Sequence, residues 1–222
     1  MNYLTEDAAR AQIVRVGRSL FERGYAHSTA GNISVRLADG YLITPTDACL
    51  GFLEPQRLAK LNLEGRQVSG DRASKTIVLH RRIYESSETT TRPALCVLHT
   101  HSTHLVACSL LREEESELLP PITPYFVMKV GHVPHIRYHS PGSTQAAEEV
   151  ADTITQRHNL GHPIRAVMLA RLGPNVWHET PEAAMATLEE LEETARLWLL
   201  ARPHPLDESA LEDLRQRFGA IW

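Results

Sequence analysis

The sequence predicts a single α/β domain over residues 1–222, a central β-sheet flanked by helices. Three observations carry that expectation. Helical and strand-like segments alternate along the whole chain, and no repeat or linker interrupts them. At 222 residues with 42% hydrophobic content, the chain is long enough to bury one sizeable core. Near its C-terminal end, Thr180-Pro181-Glu182 opens an unambiguous amphipathic helix.

The elements follow in order. Residues 5–23 read as a helix with Thr5 as cap, Glu6 and Asp7 in its first turn, and Gly24 as its stop. Ala9, Ile13, Val16 and Leu20 form its buried stripe. A small-residue turn, Ser28-Thr-Ala-Gly-Asn32, runs into a strand that reaches Val35. Asp39-Gly40 then signals a hairpin into Tyr41–Thr44. Ser74–Glu85 reads as a helix, Leu95–His99 as a strand, and residues 102–111 as a helix. Val133–Tyr138 and Ala166–Ala170 are short strands. In the helix after Thr180, Met185, Leu188, Leu191, Ala195 and Trp198 share one face, with Glu192 and Arg196 as an i,i+4 pair. Pro203-His-Pro205 ends it, and a last helix covers Asp207–Phe218. The tail Phe218–Trp222 is expected to pack on a neighbouring subunit.

Composition excludes several partners. The net charge is −4 with no basic block, which argues against nucleic acid. No apolar run is long enough to span a bilayer. The acidic N-terminal stretch is unlike a secretory signal, and three cysteines without metal-knuckle spacing point to reduced thiols in a cytoplasmic protein.

The chemistry-bearing motif is His99-Thr100-His101 at the end of the apolar run from Ala94 to Leu98. Residues two apart on a strand share a face, so both imidazoles can address one divalent cation. Six of the 12 histidines fall in the same region: His99, His101, His104, His132, His135 and His139.

Several stretches, in this order and spacing, resemble the class II aldolase/adducin family. They are Ser28–Ser34, Leu42-Ile-Thr-Pro-Thr46, Ser74 with His80, His99-Thr-His101, and Leu172-Gly-Pro174. Within the family the chain is most similar to the 3-oxo-tetronate 4-phosphate decarboxylase branch, through Gly51–Leu58, Ser69-Gly-Asp71, Thr123–Met128 and Glu189–Ala195. The resemblance implies a three-layer fold, a homotetramer and a small-molecule substrate. It also implies a cation such as Zn2+ on three histidines, a glutamate acid/base and a phosphate pocket. By position, His99 and His101 match two metal ligands, and Gly31, Asn32, Thr46, Ser74 and Lys75 match the phosphate pocket.

The chain departs from that pattern at the reacting centre. Thr76 stands at the glutamate position and Leu172 at the third histidine. Asp47 follows Thr46 where the family has glycine, and Ala73 replaces a proline. His104, His135, His139 or Asp47 are the candidates for a substitute ligand, and Arg171 is a candidate carboxylate anchor. The expectation is therefore a lyase with an altered substrate or reaction, its cation weakly held or absent. Three alternatives stay open. One is an oxygenase-type enzyme with Fe2+ on two histidines and Asp47. Another is a metal-free enzyme using Asp47, Arg171 and the histidines, and the last is a silent homologue kept for binding.

Overall fold

Thr5 starts the first helix as the sequence predicts: its Oγ1 accepts the Ala8 N–H, and α1 runs Glu6–Glu22. The computed structural model describes residues 2–222. β1 (Asn32–Leu37) and β2 (Gly40–Ile43) form the expected hairpin, and β3 (Ala59–Asn62) and β4 (Gln67–Ser69) extend it. On the other side lie β5 (Cys96–His99), β8 (Gly173–His178), β7 (Ala166–Leu169) and β6 (His135–Ile136). The eight strands run in the order β4-β3-β2-β1-β5-β8-β7-β6, antiparallel throughout except for the β6–β7 pair.

Helices cover both faces and bury alternate strand residues. On one face, α1, α3 (Thr103–Leu111) and α5 (Pro181–Ala201) pack with Ile33, Val35, Leu98 and Val176. On the other, α2 (Ile77–Ser87) and α4 (Thr144–Asn159) pack with Ile43, Val97, Val167 and Trp177. The last helix, α6 (Glu208–Phe218), is capped by Asp207 and packs its Leu211 and Leu214 near Val127. The single α/β domain with a flanked sheet is as the sequence predicts.

Four details differ from the sequence reading. The 16-residue α4 carries its stripe on Ala146, Ala147, Val150, Ala151 and Ile154, small residues that give a weak periodic signal. The Gly173-Pro174 pair, read only as a motif, opens a central strand. Glu192 does not pair with Arg196, which instead faces Glu193 at 3.6 Å. Its carboxylate is buried and accepts the backbone N–H groups of His104 and Leu105, capping α3, where charge-assisted bonds to orphan donors outweigh an exposed helix pair. Finally, the tail folds onto its own chain: the Trp222 ring stacks on His132 at 4.3 Å and meets Phe126 at 5.5 Å.

Candidate active site

β5 ends at His99, and the chain leaves the sheet through Thr100 and His101. Two glycines hold this segment in place. A Cβ on Gly173 would sit 1.9 Å from the Thr100 oxygen, and one on Gly31 would sit 2.8 Å from the His99 oxygen. Both have positive φ (146° and 91°), so backbone packs against backbone here only because neither residue carries a side chain.

The His99 ring is oriented from behind. Its Nδ1–H donates to the Pro174 carbonyl at 2.9 Å, which fixes the tautomer and leaves Nε2 as an acceptor. Burial, then the neighbouring His101, pushes the His99 pKa down to about 4. Burial also lowers His101, followed by the effect of His27. Both rings are neutral at pH 7, and their centroids are 5.0 Å apart.

Strand register places two amides beside His99. Asn32 of β1 and Asn175 of β8 are its direct cross-strand partners, so the three side chains share the sheet face under α2 and α4. Next along that face, the Ser34 hydroxyl is 2.7 Å from His80 Nδ1 and 2.6 Å from the Tyr84 hydroxyl. His80 is fully buried, and burial followed by the Coulomb effect of His99 drives its pKa to about 3.

A cleft of about 240 Å³ opens over the row. One wall carries Gly31, Asn32, Thr46, Ser74, Lys75 and Thr76. Ser74 and Thr76 share a hydroxyl–hydroxyl contact of 2.9 Å at the start of α2. The lining also includes Leu172, and Arg137, His139 and Ser143 from the segment before α4. Asp47 is exposed at the edge with φ of 56°, a left-handed conformation that Asp tolerates better than most residues. The sequence thus brought together its pocket residues, Thr76, Asp47, both strand histidines, Leu172 and His139.

Three candidates lie elsewhere. Arg171 is exposed and forms a forked pair with Glu113, so it anchors nothing in the cleft. His104 turns to Glu192 at 2.8 Å, because that carboxylate caps its helix. His135 places Nδ1 at 3.1 Å from the Arg112 carbonyl. His139 lines the cleft, yet its Nε2 is held 2.7 Å from Glu149. The sequence reading missed Asn175, whose strand it had not assigned, and Arg137, which it placed in a strand over Val133–Tyr138 that in fact covers only His135–Ile136. It also missed His27, whose ring lies 6.4 Å from His101.

The divalent cation implied by the resemblance would find two imidazoles here and the leucine side chain of Leu172. Among the described residues no three His, Cys, Asp or Glu side chains converge to hold a metal ion. That donor set falls short of the three protein ligands a catalytic zinc site uses. No helix of the described residues is long and apolar enough to cross a membrane.

Comparison with known proteins fits this architecture. Residues 11–199 match the class II aldolase and adducin N-terminal domain. A 3-oxo-tetronate 4-phosphate decarboxylase of Cupriavidus necator is 49% identical over 226 residues, 98% of this chain and 99% of that protein. The Escherichia coli enzyme of the same name is 38% identical over 203 residues, 90% of this chain and 91% of its own. The crystal structure of YgbL from Escherichia coli is similar with a TM-score of 0.84 at 37% identity, covering 95% of this chain and 99% of that one.

Proposed function

The chain belongs to the class II aldolase and adducin family, as a lyase, and from that premise we propose that it decarboxylates a phosphorylated four-carbon 3-oxo acid. The substrate class is that of its Cupriavidus necator and Escherichia coli relatives, 3-oxo-tetronate 4-phosphate. The observation that carries the reading is Thr76, which stands where the resemblance places a carboxylate base and whose hydroxyl meets, among the described residues, only that of Ser74, at 2.9 Å. Reverse aldol cleavage must remove a proton from a substrate hydroxyl, and a threonine hydroxyl is no base near neutral pH. Decarboxylation of a 3-oxo acid has no such step. The C1–C2 bond breaks, its electron pair passes through C2 to the C3 carbonyl oxygen, and CO2 departs. The resulting enolate takes a proton from water at C2 to give dihydroxyacetone phosphate and hydroxide, which CO2 takes up as bicarbonate in bulk solution. What the reaction needs is a polarised C3 carbonyl and a place for two anionic groups.

The cleft walls suit that division. The Ser74 and Thr76 hydroxyls favour a phosphate, with the Lys75 ammonium beside them. Arg137 also lines the cleft, and it would exchange its exposed pair with Glu149 for the substrate carboxylate. The His99 floor then faces the carbonyl and hydroxyl between the two anions. No step is routed through a cation, because the donor set does not complete a site for one. The expected result is stoichiometric CO2 and dihydroxyacetone phosphate from 3-oxo-tetronate 4-phosphate, with negligible cleavage of L-fuculose 1-phosphate. Cleavage of the latter at a comparable rate would refute the reading. The same proposal includes a homotetramer, for which exposed Phe52, Leu111 and Leu200 offer apolar surface. A monomer by light scattering at micromolar concentration would remove that part.

A further inference from the structure

Asn175 is fully buried in the middle of β8, and both its amide oxygen and its amide nitrogen lack a hydrogen-bond partner. An unsatisfied carboxamide inside a sheet is strongly unfavourable, and native proteins keep few of them. Its neighbours along the strand, Val176 and Trp177, are apolar and fully buried. A valine at this position would satisfy every packing demand of a central strand, so the fold by itself gives no reason for an amide. Its placement does give one. Asn175 lines the cleft and sits directly across from His99, whose Nε2 has no proton to donate. Asn32, on the other side of His99, likewise leaves its buried Oδ1 without a partner. The row therefore offers bare acceptors at Asn32 Oδ1, His99 Nε2 and Asn175 Oδ1, and a bare donor at Asn175 Nδ2. That pattern fits a ligand segment carrying one carbonyl and adjacent hydroxyls, and it repels carboxylate and phosphate.

We infer that Asn175 is the carbonyl-binding residue of this site, its Nδ2–H donating to the ligand oxygen that becomes the enolate oxygen. This rests on the decarboxylase reading for its chemistry, though the subsite itself would bind any hydroxyketone phosphate. The amide does what a cation does in a three-histidine site: it polarises the C3 carbonyl and stabilises the charge that collects there as CO2 leaves. Pre-aimed donors of this kind are worth about 100-fold or more in turnover. Adjacent hydroxyls would donate to His99 Nε2 and Asn32 Oδ1 and set the ligand's rotation.

The test compares Asn175→Val with Asn175→Thr, two β-branched residues of nearly equal shape, of which only threonine carries a donor. Turnover of 3-oxo-tetronate 4-phosphate should fall about 100-fold in the Val variant, mainly in kcat, and stay within about tenfold of wild type in the Thr variant. The melting temperature of the Val variant should equal or exceed that of wild type, since it loses an unsatisfied amide. A structural role would give the reverse, a lower melting temperature with kcat preserved. Equal turnover in the two variants would also overturn the inference, as would loss of turnover that tracks loss of Zn2+ by elemental analysis. If wild type does not turn over this acid, the decarboxylase reading fails, and the subsite is judged by calorimetric titration with dihydroxyacetone phosphate. Wild type must then bind it, and the Val variant must bind at least tenfold more weakly than the Thr variant. No binding by wild type, or equal binding by both variants, would overturn the inference.

Discussion

The two ends of the cleft contrast sharply. At the end proposed for the phosphate, Gly31, Asn32, Thr46, Ser74 and Lys75 stand together as the motif order alone suggests. On the floor, His99 and His101 keep their places while Leu172 faces the same cleft without a ligand atom, and Asn175 fills the row instead. As proposed, the phosphate end depends on short hydroxyls and one lysine, held on turns that backbone hydrogen bonds fix. The floor depends on the identity of single side chains projecting from strands. A fold can hold the first arrangement unchanged while the second is rewritten.

The largest expected effect comes from giving the floor a third imidazole. Leu172→His would place a third imidazole on the cleft wall and complete the ligand count of a catalytic zinc site. Calorimetric Zn2+ affinity should rise by about 100-fold over wild type. An unchanged affinity would mean that the Leu172 position does not converge with His99 and His101. The phosphate end is tested next. Lys75→Ala should raise KM for the phosphorylated acid about 20-fold, while leaving that for an unphosphorylated 3-oxo acid within twofold. Equal effects on both substrates would remove the phosphate from this wall.

Much of the contrast was legible in the sequence. The caps Thr5, Thr180 and Asp207 each accept a backbone N–H at their helix starts, as local residue chemistry dictates. The HxH spacing and the small-residue turns placed one wall and part of the floor. What was not legible has physical causes. α4 buries mostly alanines, so its apolar stripe is shallow, and the strand expected over Val133–Tyr138 is only His135–Ile136, which leaves Arg137 on the loop that leads to α4. Proline rarely sits in a central strand, so Gly173-Pro174 concealed β8 and therefore Asn175. Pro174 is tolerated there, and its carbonyl holds the His99 ring. Of the substitute-ligand candidates, Asp47 is exposed at the cleft edge and His104, His135 and His139 each lie beside a nearer acceptor, something spacing along the chain does not reveal.

The floor also predicts a pH dependence of stability. His80 and His99 have folded pKa values of about 3 and about 4, against an ordinary value of 6.5. Between those values the unfolded chain binds protons that the folded chain excludes. Stability is therefore full above pH 6.5 and falls as pH drops toward 4 and then 3, each group contributing at most about 1.4 kcal/mol per pH unit. Urea titrations at pH 7 and pH 5 should show the loss, and His80→Gln should make it shallower. An identical slope in the variant would mean that His80 is not held neutral.

The smallest effect separates the two ends most cleanly, because it concerns the one charge at the phosphate end that opposes its purpose. Asp47 is exposed at the cleft edge beside Thr46, and its left-handed backbone is one that glycine adopts without strain. Asp47→Gly should therefore leave the fold intact. A solvated carboxylate about 4 Å from a phosphate costs on the order of 1 kcal/mol, or about fivefold in affinity. KM for the phosphorylated acid should fall by about that factor, with kcat unchanged because the floor is untouched. Exposure makes the repulsion sensitive to salt, since at 1 M the screening length is about 3 Å. The advantage of the glycine variant should accordingly shrink toward unity in 1 M NaCl. A gain that persists there would mean that Asp47 acts through the loop's shape rather than its charge. A loss of affinity would mean that the carboxylate binds a substrate hydroxyl, and the phosphate would then belong deeper in the cleft, against Ser74.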